Sequence, residues 1–314
     1  PKVQAKYESK DGCVKWLFSS GLGQAVETVF IPESDRGTLC ISSQVGCALD
    51  CSFCATGAQG FNRNLSSAEI IGQVRYAIRD LPRRSNGEPA VTNVVFMGMG
   101  EPLANYRNVV SVLEILVSDW SYGISRRRVT VSTSGIVPHI NKLADDCNVA
   151  LAVSLHAPTD DLRDQIVPIN KLHPIKTLLE ACWQYAEKRS RRFITFEYVM
   201  LRDVNDSIKQ ANQLVSLLKC KPAKVNLIPF NPFPGTEFKR SSVESIRHFQ
   251  SRLRERGLIA TTRKTRGDDI DAACGQLAGK VSDRVKKPLG RKIIAPKISS
   301  GKANQDKGIR TPSV

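Results

Sequence analysis

Six apolar stretches, each followed by a helical pattern, succeed one another between residues 38 and 255. The strands read as Thr38–Ser43, Val91–Met97, Arg128–Ser132, Val149–Leu155, Phe193–Leu201 and Lys224–Pro229. The first helix opens on a capping box, Ser66-Ser-Ala-Glu69, and runs to about Arg79. Helices then read over Tyr106–Val117, through Leu143, over Asp160–Gln165 and Ile175–Lys188, from Ser207 to Leu218, and over Ser242–Glu255. Strand–helix alternation of this kind forces parallel strands joined by crossover helices. Right-handed crossovers curl such a sheet into an open or partial barrel. Leu258–Thr262 is a last strand, and no internal repeat is visible.

Two segments fall outside this pattern. Residues 1–33 read as an antiparallel hairpin extension, with Val14–Phe18 and Ala25–Ile31 flanking the Gly21-Leu-Gly23 turn. Residues 34–285 form the expected core. Residues 280–314 carry ten Lys or Arg against two Asp, a net of +8, so 286–314 reads as a disordered basic tail. Such a tail either adds phosphate contacts or only solubilises. The chain opens on Pro1 and not on Met, consistent with a piece missing ahead of it.

Lys plus Arg number 46 against 30 Asp plus Glu, a formal charge of +16, which points to a polyanionic partner such as nucleic acid. No apolar run is long enough for a membrane span, and no basic-then-apolar leader opens the chain. Nine cysteines without a leader indicate a reducing compartment, the cytoplasm, and their clustering favours metal over a disulfide framework.

That clustering is Cys47-Ala-Leu-Asp-Cys51-Ser-Phe-Cys54, directly after the first strand. Gly46 precedes it and Ala55-Thr56-Gly57 follows, so it reads as a loop able to fold its thiolates onto one centre. Three thiolates leave a tetrahedral zinc site one ligand short. They can hold three irons of a 4Fe–4S cluster and leave the fourth open for reactivity. A zinc loop with a distant fourth ligand, or three buried thiols, is the plainer alternative.

In parallel α/β sheets the chemistry sits on the loops after the strands' carboxyl ends. After the second strand comes Gly98-Met-Gly100-Glu101-Pro102, where glycine allows close backbone approach and a carboxylate can accept from an ammonium group. Ser132 ends the third strand, Ser154-Leu155-His156 the fourth, and Asn231 follows the sixth. Glu27 alternates with apolar neighbours and, on pattern alone, is a solvent-facing carboxylate. Cys274 lies among small residues, with Arg263, Lys264 and Arg266 near enough in sequence to lower its pKa. Cys40 lies on the first strand. Cys13, Cys147, Cys182 and Cys220 read as structural or free.

CxxxCxxC with an aromatic before the last cysteine resembles the signature of radical S-adenosylmethionine (SAM) enzymes. Thr38–Gly46, Gln59–Leu65 and Arg263–Leu277 are further similar to bacterial dual-specificity methyltransferases of 23S ribosomal RNA and transfer RNA, over about Trp16 to Val285. The resemblance implies a six-stranded partial βα barrel and one 4Fe–4S cluster on Cys47, Cys51 and Cys54, whose open iron chelates SAM. It implies SAM contacts from Gly100, Glu101, Ser132, Ser154, Leu155, His156 and Asn231, with Glu27 facing the active site as proton acceptor. It also implies a catalytic pair, Cys274 and Cys40, two SAM per turnover, a flavodoxin- or ferredoxin-like electron donor, and a monomer. The family's accessory N-terminal domain is not in this sequence.

The mechanism so implied begins with methylation of Cys274 by one SAM. A second SAM is cleaved reductively, and the deoxyadenosyl radical takes hydrogen from that methyl group. The carbon radical adds to carbon-2 of an adenine, an electrophilic position that a methyl cation avoids. A Cys40–Cys274 disulfide then frees the product. The alternatives are a relative that methylates carbon-8 of an rRNA adenine, and a non-catalytic zinc-containing RNA-binding module.

Overall fold

The computed structural model describes residues 1–147, 149–188, 193–279 and 281. The chain opens with three antiparallel strands, β1 (Val3–Glu8), β2 (Val14–Ser19) and β3 (Ala25–Pro32), and β3 pairs antiparallel with β4 (Gly37–Cys40). The extension therefore has one strand more than the expected hairpin, and it continues the main sheet. Its Trp16 and Phe18 are buried edge-on against Tyr76, and the Trp16 indole donates to Asp80 at 2.9 Å. Burying two aromatics there joins the extension to the common core.

The expected first strand stops at Cys40 and not at Ser43. The Gln73 side chain accepts from Ser42 N–H and donates to Ser42 C=O, both at 2.9 Å, in place of a strand ladder. The chain then enters a small second sheet, β5 (Gln44–Gly46) with β6 (Phe61–Asn64), that brackets the cysteine loop and the single turn α1 (Ala55–Ala58).

From α2 (Ser67–Asp80) onward the alternation is as expected, and the Ser66/Glu69 capping box is formed. In order follow β7 (Asn93–Phe96), α3 (Tyr106–Val117), β8 (Val129–Thr133), α4 (Val137–Asp146), β9 (Ala150–Ser154), α5 (Asp160–Ile166), α6 (Ile175–Glu187), β10 (Ile194–Met200), α7 (Ile208–Leu218), β11 (Ala223–Pro229), α8 (Val243–Glu255) and β12 (Ile259–Thr262).

One ten-stranded sheet results, ordered β1-β2-β3-β4-β7-β8-β9-β10-β11-β12. Every pairing from β4 to β12 is parallel, so β12 adds a seventh parallel strand to the expected six. Residues from β7, β8, β9, β10 and β11 line one cleft, which shows that the sheet curls around it. The expected basic tail, 286–314, lies outside the described residues. Among the described residues no helix is long and apolar enough to cross a membrane.

Candidate active site

The cysteine loop leaves β5 at Gly46, whose φ of +78° and contact with the Gly60 carbonyl exclude a side chain. The loop is pinned on both sides. Cys47 N–H donates to Gly60 C=O at 2.7 Å, and Ser52 N–H donates to Ile166 C=O at 3.1 Å. Burial pushes the Cys51 thiol up, and Cys47 and Cys54 push it further, so the three sulfurs share one neighbourhood. Burial also raises Cys54, against donors from Thr56 and Gly57.

Thiols that burial and mutual repulsion keep protonated ionise readily only around a cation, which is what a metal cluster supplies. No three potential ligands among the described residues converge as tightly as a single metal ion requires. A cubane spreads its thiolates over separate irons and makes no such demand. The donor set fits a 4Fe–4S cluster.

Beside the loop opens a cleft of about 770 Å³. Gly100, Glu101, Ser132, Ser154, His156, Cys54 and Cys274 all line it. Gly100 has φ +96°, and a Cβ there would lie 2.4 Å from Gln44 Cβ, so packing against Gln44 already requires glycine. Glu101 is held by N–H donors from Leu103 at 3.0 Å and Ser134 at 2.7 Å. Burial still lifts its carboxyl to about 7, and no cation among the described residues offsets this. A ligand ammonium would supply the missing counter-charge, so the site fits the amino group of SAM.

His156 occupies a left-handed turn, φ +61°, and its ring packs edge-on against Phe53 with centroids 4.7 Å apart. Burial, with Arg163 nearby, pushes its pKa down to about 3. Nδ1 accepts from Val199 N–H at 3.0 Å, so the neutral imidazole carries its proton on Nε2. Two of the expected contacts do not line the cleft. Leu155 is buried behind it, and its C=O accepts from Arg163 at 3.0 Å. Asn231 lines a neighbouring pocket and donates to Cys274 C=O at 3.3 Å.

Cys274 stands at the junction of cleft and neighbouring pocket. Arg263 donates to its sulfur at 3.0 Å, whereas Arg266 turns to Asp11 at 3.8 Å. The Arg263 charge also acts on Cys40. Burial first, then the Cys274 charge, raise the Cys40 thiol to about 12, with Arg263 opposing. The structure thus brings Cys40 and Cys274 to one arginine from opposite ends of the chain.

Glu27 is not solvent-facing. It is 8% exposed, because residues 267–279 fold back over β3. Its carboxylate pairs with Lys15 at 3.1 Å and accepts from Ala278 N–H at 3.0 Å, and it does not line the cleft.

Two functional side chains escaped the sequence reading. Arg163 on α5 is fully buried and donates to the carbonyls of Leu155, Ser134 and Ser154 and to Asn170. One guanidinium so ties the ends of β8 and β9 together. An arginine in an ordinary-looking helix carries no signal of this. Glu197 on β10 lines the cleft at 5% exposure, and Asn226 donates to its Oε2 at 2.8 Å. Its signal was visible: a carboxylate inside the apolar run Ile194-Thr-Phe-Glu-Tyr-Val-Met200.

The description "Radical SAM superfamily" matches residues 41–215. The fold is similar to a crystal structure of a radical SAM methyltransferase from Sphaerobacter thermophilus, at TM-score 0.84 and 48% identity over 88% of this chain and 80% of that one. It is also similar in fold to Streptococcus suis SuiB bound to S-adenosylmethionine, at TM-score 0.51 and 16% identity over 72% of this chain and 47% of that one. The cysteine loop, the cleft beside it and a match over more than half the sequence agree: the chain belongs to the radical SAM superfamily.

Proposed function

We propose that this protein is a radical SAM methyltransferase that modifies carbon-2 of an adenosine in 23S rRNA and in transfer RNAs, through a methylated Cys274. The observation that carries the reading is the Cys274 sulfur at the cleft, 3.0 Å from Arg263, with Cys40 coupled to the same guanidinium. A thiol at the cleft, with a second thiol buried beside the same arginine, suits chemistry on a cysteine better than direct transfer from SAM. The methyltransferase relative, 48% identical, supports the reaction class.

Cys47, Cys51 and Cys54 would hold the cluster, and Glu101, with Gly100, Ser132, Ser154, His156 and Asn231 around it, would orient SAM. A cluster with SAM bound supplies radical-forming chemistry there when an external reductant, of flavodoxin or ferredoxin type, delivers an electron. The Cys274 thiolate attacks the methyl carbon of one SAM, forming a C–S bond as the sulfonium's bond to that carbon breaks and S-adenosylhomocysteine leaves. Arg263 holds that sulfur toward the cleft. Cys40 later attacks the Cys274 sulfur, forming a disulfide as the bond from that sulfur to the product carbon breaks and a proton takes its place, and an external thiol reductant reopens the disulfide. Glu27, on the strand beside the Cys274 segment, is the proton acceptor of this scheme.

Lys264 and Arg266 on the rim of the neighbouring pocket give phosphate contacts, in keeping with the +16 charge. The protein acts as a cytoplasmic monomer in this reading. Mass spectrometry of rRNA and tRNA from a strain lacking the gene, with and without this chain, is the test. Restored 2-methyladenosine supports the function, 8-methyladenosine favours the carbon-8 alternative, and no change in either refutes it.

A further inference from the structure

Across the inner face of the sheet, three polar side chains stand in register on adjacent strands: Ser154 on β9, Glu197 on β10 and Asn226 on β11. Thr261 on β12 extends the row, donating to Asn226 Oδ1 at 3.2 Å. Parallel strands in a packed barrel have no structural need of a polar row, and burying a carboxylate there is costly. The row leads from Ser154, among the expected SAM contacts, toward Arg263 and Cys274.

Glu197 is its charged member. Asn226 occupies Oε2 at 2.8 Å, while Oε1 receives no donor from the described residues. Burial raises this carboxyl's pKa and the Arg263 charge opposes the rise, yet no ion pair joins the two. A carboxyl oxygen and a guanidinium thus face one cleft without touching, with the Cys274 sulfur on the guanidinium. The space between them suits a planar group that presents a hydrogen-bond donor beside an acceptor.

We propose that Glu197 recognises the acceptor base, its Oε1 taking a hydrogen bond from an exocyclic amine while a ring nitrogen faces Arg263. The ligand class is an amino-bearing nucleobase, adenine under the function proposed above, on which this inference rests. Glu197 then orients the base against Cys274, and Asn226 fixes the carboxyl rotamer.

The test compares two anticodon stem-loop RNAs, one with adenosine at the modified position and one with purine riboside, which lacks the exocyclic amine. Dissociation constants come from fluorescence anisotropy, and kcat/KM from methyl transfer. Wild-type protein should prefer adenosine about tenfold, the worth of one hydrogen bond to a charged group. In Glu197→Gln the preference should fall to near one. A wild type that treats both RNAs alike overturns the proposal without needing a folded variant. A Glu197→Gln protein that keeps the preference but binds SAM more weakly also overturns it, and assigns the carboxyl to SAM. A wild type that modifies neither RNA refutes the underlying function, a failure distinct from loss of base discrimination.

Discussion

Replacing Glu101 by Gln should change how stability depends on pH. Burial lifts this carboxyl from 4.5 to about 7, although Ser134, Thr133 and Leu103 all donate to it. A carboxyl with a raised folded-state pKa holds its proton more tightly folded than unfolded. Its contribution is most favourable below 4.5 and is lost as pH rises toward 7. The rise corresponds to about 3 kcal/mol. Gln removes one acceptor from two backbone donors, a penalty that does not vary with pH. The diagnostic quantity is therefore the difference in unfolding free energy between variant and wild type, without SAM, at about pH 5 and about pH 8. It should move by about 2–3 kcal/mol in favour of the variant as pH rises. If SAM's ammonium pairs with Glu101 as proposed, it favours the ionised carboxyl and reverses the sign for wild type, so wild-type affinity should strengthen up to about pH 7 while the variant's stays flat. Urea denaturation and calorimetric titration measure the two. Parallel stability curves for the two proteins would refute the reasoning.

Arg163→Met should destabilise by about 3 kcal/mol, because it leaves one buried and two partly buried carbonyls without their donor, and Arg163→Lys should recover only part. A loss under about 1 kcal/mol in chemical denaturation would show that water replaces the guanidinium. Cys51→Ala should abolish cluster absorbance after anaerobic reconstitution, and a normal iron and sulfide load would remove Cys51 from the ligand set. Cys40→Ala should accumulate a covalent protein–RNA species on denaturing gels while Cys274→Ala shows none. Equal behaviour of the two variants would end their unequal roles.

The barrel was legible because its signals are local. Apolar runs followed by helical patterns recur six times, a capping box opens the first helix, and each signal reports on a few neighbouring residues. The cysteine loop was legible for the same reason. What lay hidden depends on distant contacts. The end of β4 at Cys40 is set by Gln73, thirty-one residues beyond Ser42. Glu27 reads as exposed until Ala278, 251 residues later, covers it. Arg163 looks like a helix-surface residue, and only the fold shows three carbonyls converging on it.

The placement of Cys274 follows from the same long-range ties. Its segment is fastened to the N-terminal strands, where Lys15 donates to Asp271 C=O at 3.2 Å and Glu27 accepts from Ala278. It is fastened equally to the cysteine loop's exit, where Ala55 N–H donates to Gly275 C=O at 2.9 Å and Thr56 to Leu277 C=O at 2.6 Å. A group that fixes residues 47–54 therefore also fixes the backbone around Cys274, through hydrogen bonds worth about 1 kcal/mol each. Arg263, just past the end of β12, completes the arrangement, donating to the Cys274 sulfur while its charge acts on Cys40 and Glu197. Three separate stretches of chain must be in place before the Cys274 thiol faces the cleft, so its position is set only in the folded protein.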